Sequence, residues 1–181
     1  MLKKILFTAL TILVLYSAVI VGYKANEPER EDILSPSAAI SNDAIDYSNL
    51  RDYTINSGEA AIHYYFFFSR NNQDCLYVAN TVLTSVESST GIDLDAILEY
   101  VDITSLEDNL QTSQLRTDWQ VSSYPAFVTC RYENGNITID NTLQWDPQHP
   151  LSASEFTDWL QLNGLYKNPN ATDEPIATPA S

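Results

Sequence analysis

The sequence predicts an α/β fold in which a mixed sheet is sandwiched by helices, preceded by an N-terminal transmembrane helix. Three observations predict it. Strand-length apolar runs alternate with segments of helical spacing between residues 46 and 166. A helical segment separates the first two strand runs, which therefore pair in parallel, whereas the last two meet at "ENGN" and form an antiparallel hairpin. Ahead of all this, "ILFTALTILVLYSAVIVGY", Ile5 to Tyr23, carries no charged side chain.

The elements follow in the order α-β-α-β-α-β-β-α. "DYSNLRDYTINSG" spaces Tyr47, Leu50, Tyr53 and Ile55 as a helix would, and Gly58 stops it. "AAIHYYFFF" is too short for a lone helix and rich in aromatics, so it reads as a strand buried on both faces. "QDCLYVANTVLTSVESSTG" puts Cys75, Val78, Ala79, Val82, Leu83 and Val86 on one helical face before Gly91. "AILEYVDI" is the next strand. "SLEDNLQTSQLRTDW" reads as one polar helix packed through Leu106, Leu110, Leu115 and Trp119. "PAFVTCRYENGNITIDNTL" is the hairpin, with Asn-Gly at its turn. In "SASEFTDWLQLNGLY", Ser152 and Glu155 have capping-box spacing, Phe156, Trp159, Leu160 and Leu162 form the apolar face, and Gly164 ends the helix.

Outside this region the chain changes character. The uncharged run of 19 residues after "MLKK" would span roughly 28 Å as a helix. That exceeds the usual apolar core of a cleaved leader, and "GYKAN" puts Tyr23 where a cleavage site wants a small residue. Residues 1–24 are therefore expected to be an uncleaved signal anchor, with cleavage as the competing reading. Lys3 and Lys4 orient it with the domain outside. Residues 25–45, rich in acids and carrying Pro28 and Pro36, read as a flexible acidic stalk. Residues 46–166 form the folded domain, and the proline-rich 167–181 are expected to be a disordered tail. The expected localisation is the cell membrane, single-pass, with the C-terminal domain extracytoplasmic.

Charge excludes one class of partner. The formal net charge is −15, and beyond residue 24 six basic residues face all 24 acids. No basic surface for nucleic acid is available.

Two local patterns resemble the thioredoxin superfamily. In that family a buried aromatic-rich strand leads into C-x-x-C at the start of a helix, and "FFFSRNNQDC" sits at that point. Cys75 matches the second cysteine, and Asn72 stands in place of the first. In "DWQVSSYPAFV", Trp119, Val121, Tyr124 and Pro125 fit the segment that opens the family's next strand with a cis-proline. "YVDI" around Asp102 resembles its second parallel strand. "FSRNNQDC" is most similar to membrane-anchored accessory thioredoxins of Gram-positive bacteria, such as bacteriocin-transport accessory proteins, which carry a similar aromatic-x-R before C-x-x-C.

The resemblance implies a thioredoxin-like domain, an active-site-like loop made of Asn72, Gln73, Asp74, Tyr124 and Pro125, and Cys75 as the one candidate catalytic residue. It also implies extracytoplasmic protein or peptide clients. The departures matter. Counting back from Asn72, the family's buried proton-handling acid falls on Phe66. Attack and resolution need two thiols, and here one thiol and the acid are both replaced. Asn72 is a good helix cap, so it should keep the helix start while abandoning the attack. The leading expectation is thus a redox-degenerate, client-binding accessory factor in a secretion, bacteriocin or conjugation apparatus. The alternative is a monothiol oxidoreductase or isomerase using Cys75.

Cys130 lies five residues beyond Pro125 and in step with Ala126 and Val128, which makes it a core thiol out of reach of Cys75. His63 reads as a packed residue and His149 as a loop residue, with no metal-ligand spacing. Acid pairs such as Glu107/Asp108 read as solvated surface. No metal and no cofactor are expected.

Overall fold

The computed structural model describes residues 43–167. The expected anchor at 1–24, most of the expected stalk and the expected tail beyond 167 lie outside the described residues. Among the described residues no helix is long and apolar enough to cross a membrane.

Five strands form one sheet in the order β1-β3-β2-β4-β5. They are β1 (Ile45–Asp46), β2 (Ile62–Phe68), β3 (Glu99–Asp102), β4 (Ala126–Glu133) and β5 (Asn136–Gln144). β3 runs parallel to both β1 and β2, while β2·β4 and β4·β5 are antiparallel. The mixed parallel and hairpin pairing expected from the sequence is present. β1 has no counterpart in the sequence reading; it begins at Ile45, which pairs with Val101, one residue inside the expected stalk.

β2 is flanked by strands on both sides and covered on both faces, which is why its second half runs as unbroken aromatics from Tyr64 to Phe68. Side chains of a strand alternate between faces. Phe66 and Phe68 accordingly join one core with Phe127, while Tyr65 and Phe67 join the other with Val128. All four aromatics from Tyr65 to Phe68 are fully buried, each phenylalanine contributing roughly 1.5–3 kcal/mol.

The helices divide between these two cores. On the Phe66 side lies α2, built of Gln73–Tyr77, a π-helical stretch Val78–Leu83 and then Thr84–Thr90. Its Val78, Ala79, Val82, Leu83 and Val86 are buried as spaced. Beside it packs α5 (Ala153–Leu162) through Phe156, Trp159 and Leu160, with the Ser152–Glu155 capping box formed. Leu162 departs from expectation and is exposed. The helix ends where the Leu165 N–H reaches Leu160 O across Gly164, whose φ is +71°.

On the Tyr65 side lie α1 (Tyr47–Asn56), α3 (Thr104–Asp108) and α4 (Ser113–Trp119). α1 faces inward through Leu50 and Thr54, so Tyr53, expected inside, is exposed. The single helix expected over "SLEDNLQTSQLRTDW" is two. The chain breaks at Leu110, which takes a left-handed φ of +56° and is 91% exposed. Leu106, Leu115 and Trp119 pack as expected; Leu110 does not. The expected strand over "AILEYVDI" is shortened to Glu99–Asp102, because the N–H groups of Ile97 and Leu98 turn back to Leu94 O. At the hairpin, Asn134 and Gly135 both have positive φ, as the tight turn requires.

Candidate functional site

The C-terminal end of β2 leads into the site. Ser69 follows the strand, and Asn72 caps α2 with extended backbone angles. Its Oδ1 accepts from the N–H of Asp74 at 2.9 Å and of Cys75 at 3.1 Å. These donors have no partner within the helix, so the cap contributes about 1 kcal/mol. The helix start therefore has the geometry the sequence implies, with Asn72 just outside and Cys75 in the first turn. Gln73 is exposed and Asp74 half-buried.

Cys75 is fully buried against Phe66, Phe68 and the α2 core. Its Sγ accepts from the Ser69 N–H at 3.4 Å. Burial pushes the thiol up to about 12; that one hydrogen bond opposes the shift, while the negative charges of Glu107 and Asp74 add to it. At neutral pH the group is held as the protonated thiol. An attacking cysteine needs the reverse, a helix terminus or a cation that favours the anion.

The second half of the site is the loop before β4. The Tyr124–Pro125 bond is cis, as the resemblance implies. Gln144 of β5 holds this loop: its Oε1 accepts from the Ser122 N–H at 2.7 Å, and its Nε2 donates to Gln120 O at 2.9 Å. The Trp145 N–H donates to Pro125 O at 2.9 Å. Beside Tyr124 opens a cavity of about 430 Å³, walled by α4 through Leu115 and Arg116 and by Val121 and Ser122 of the loop.

Glu107 joins the two halves. The Tyr124 hydroxyl donates to its Oε1 at 3.0 Å, and the Asn72 amide approaches the same oxygen at 3.5 Å. The Ser69 hydroxyl donates to its Oε2. Partial burial and the bond to Glu107 push the Tyr124 hydroxyl up to about 12. Glu107, expected to be solvated surface, is half-buried. Its only sequence signal is its place in the first turn after β3; the contacts that matter are 17 to 38 residues distant. Its neighbour Asp108 remains exposed, accepting from the Asn71 amide at 3.2 Å.

A second network fixes the loop after β2. Arg70 donates from Nε to Asp102 Oδ2 at 2.7 Å and lies over the Phe68 ring, 5.5 Å from its centroid. Its N–H donates to Thr104 Oγ1 at 2.9 Å, and Thr104 in turn donates to Asp102 from both N–H and hydroxyl.

The remaining sequence candidates stand apart from this site. Phe66, at the position of the family acid, stacks on Phe127 at 4.7 Å. Cys130 belongs to the opposite core with Ala126 and Val128. His63 is buried, bonded through Nδ1 to Glu99 at 2.7 Å and stacked on Tyr65. His149 is an exposed loop residue beside Asp146. Among the described residues no group of three or more His, Cys, Asp or Glu is placed to hold a metal.

No protein-family model matches the chain, and no curated protein matches it. Solved structures do. A thioredoxin from Trichomonas vaginalis is similar at 14% identity over 72% of this chain and 100% of its own, with a TM-score of 0.41. A thioredoxin from Thermus thermophilus is similar at 15% identity over 67% of this chain and 88% of its own, with a TM-score of 0.38. The features of this chain that fit the resemblance are the β2–α2 junction, the parallel β2·β3 pair and the cis bond before Pro125.

Proposed function

We propose that this chain is a thioredoxin-like binding protein that has given up thiol–disulfide turnover. One observation carries the reading: Asn72 fills the attacking position as a helix cap, and the remaining thiol at Cys75 is buried. Exchange needs an accessible thiolate to attack and a second thiol to resolve the product. Cys75 supplies neither, which weighs against the monothiol oxidoreductase as the alternative.

In this reading extracytoplasmic protein or peptide clients lie along the cis-proline loop and the cavity beside Tyr124. Residues 5–23 anchor the domain to the cell membrane with its C-terminal part outside. The role is that of an accessory factor in a secretion, bacteriocin or conjugation apparatus. The apolar run from Ile5 and the acidic, strongly charged remainder support this placement.

Insulin reduction in the presence of dithiothreitol tests the reading. The unmodified protein should not raise the rate above dithiothreitol alone. Robust turnover that disappears on Cys75→Ser would overturn it and favour the monothiol enzyme.

A further inference from the structure

We propose that Glu107 is the positioning residue of this site, a latch whose carboxylate keeps the helix start and the cis-proline loop closed over Cys75. This goes beyond the functional reading, because it concerns what covers the thiol rather than whether the thiol turns over.

Three donors from three segments converge on this one carboxylate: Ser69 at the end of β2, Asn72 at the cap of α2, and Tyr124 before Pro125. Hydrogen bonds to an ionised acceptor are the strong ones. Each donor has a further task. Ser69 is itself fully buried, and its N–H holds the Cys75 sulfur. Asn72 has its Oδ1 committed to the helix N–H groups, which aims its amide nitrogen at Glu107. Tyr124 forms one wall of the cavity beside the loop. Glu107 is fixed in turn, because its N–H bonds to Ile103 O at 3.1 Å and the preceding Leu106 is buried. A merely solvated acid on a polar helix would be exposed, as Asp108 is.

The carboxylate thus ties the cis-proline loop, through Tyr124, to the end of β2 and the cap of α2. Without it the Tyr124 hydroxyl and the Ser69 hydroxyl lose their acceptor, the two loops separate, and Cys75 becomes reachable. Cys130, in the opposite core, provides an internal control.

The test is the rate at which iodoacetamide labels each cysteine of the native protein, read by peptide mass. Glu107→Leu should raise the Cys75 rate about tenfold or more, the effect of losing hydrogen bonds to a charged acceptor, and leave Cys130 unchanged. Tyr124→Phe, which removes one donor, should raise it severalfold. Glu107→Gln keeps one acceptor oxygen without the charge and should fall between the unmodified and the Leu rates. An unchanged Cys75 rate in folded Glu107→Leu, an equal rise at both cysteines, or a Gln variant as reactive as the Leu variant would each overturn the latch. If Glu107→Leu does not fold, Tyr124→Phe decides, and an unchanged Cys75 rate there overturns it. These rates measure access alone, so their failure is distinguishable from a failure in insulin reduction.

Discussion

Cys75 and Cys130 lie on opposite faces of the sheet. Cys75 packs with Phe66 and Phe68, and Cys130 with Tyr65, Ala126 and Val128. Both thiols are free and buried. No side-chain rotation brings them together through β2 and β4. Treated with a mild oxidant, the native protein should keep two titratable thiols. An intramolecular bridge found by non-reducing peptide mapping would contradict the arrangement.

Asn72→Cys should create a thiol able to pair with Cys75, because residue 72 sits just outside the helix and Cys75 three residues on in its first turn. Its redox activity should be weak. The new sulfur would lie near Glu107, whose negative charge disfavours a neighbouring thiolate. Adding Glu107→Gln should raise the insulin-reduction rate above that of Asn72→Cys alone. Failure of the two thiols to pair would count against the loop geometry.

Asp102 makes stability depend on pH. Burial alone would raise its pKa, but the Thr104 hydroxyl and N–H and the Arg70 guanidinium outweigh it and hold the carboxyl below the usual aspartate range. A depressed folded pKa contributes stability that is present above the unfolded value of about 3.9 and is lost as pH falls through the folded one. Asp102→Asn should therefore destabilise at neutral pH and converge with the unmodified protein under acid. Urea unfolding at both extremes checks this, and a difference that persists at the acid end would refute it.

Leu110 is exposed and held at φ +56°, a conformation that costs a side-chain-bearing residue about 1–2 kcal/mol. Part of any gain from Leu110→Gly is returned to the more flexible unfolded chain. The substitution should still stabilise by about 0.5–1 kcal/mol in urea unfolding. A loss of stability would mean that the leucine packs against something in solution.

Much of this fold is legible in local pattern. β2 is visible as an aromatic run, α2 as the 75-78-79-82-83-86 stripe, the hairpin as Asn-Gly, and α5 from Ser152 and Glu155. The helix cap at Asn72 is legible too, once the resemblance places it. The break at Leu110 is not, because leucine is a good helix former, while the left-handed turn there is closed by the Gln111 N–H reaching back to Leu106 O at 2.8 Å. β1 is only two residues long and exists through its pairing with β3. Glu107 is not legible either. In sequence it is one acid in a polar segment, and its role appears only when Ser69, Asn72 and Tyr124 are brought around it. Phe66, where the family places an acid on β2, is stacked on Phe127 and packed edge-on against Tyr100, so the position is part of the apolar core.

In the function proposed above, Cys75 is a packed thiol and not a nucleophile. Thiolate absorbance in the Cys130→Ser protein, corrected for tyrosine ionisation with the Cys75→Ser/Cys130→Ser protein, measures it most directly. The thiol should show no ionisation step below about pH 10, well above the ordinary cysteine value of about 8.5, in keeping with burial that lifts it to about 12. A step near or below neutral pH, as a nucleophilic cysteine at a helix start would give, would contradict the account.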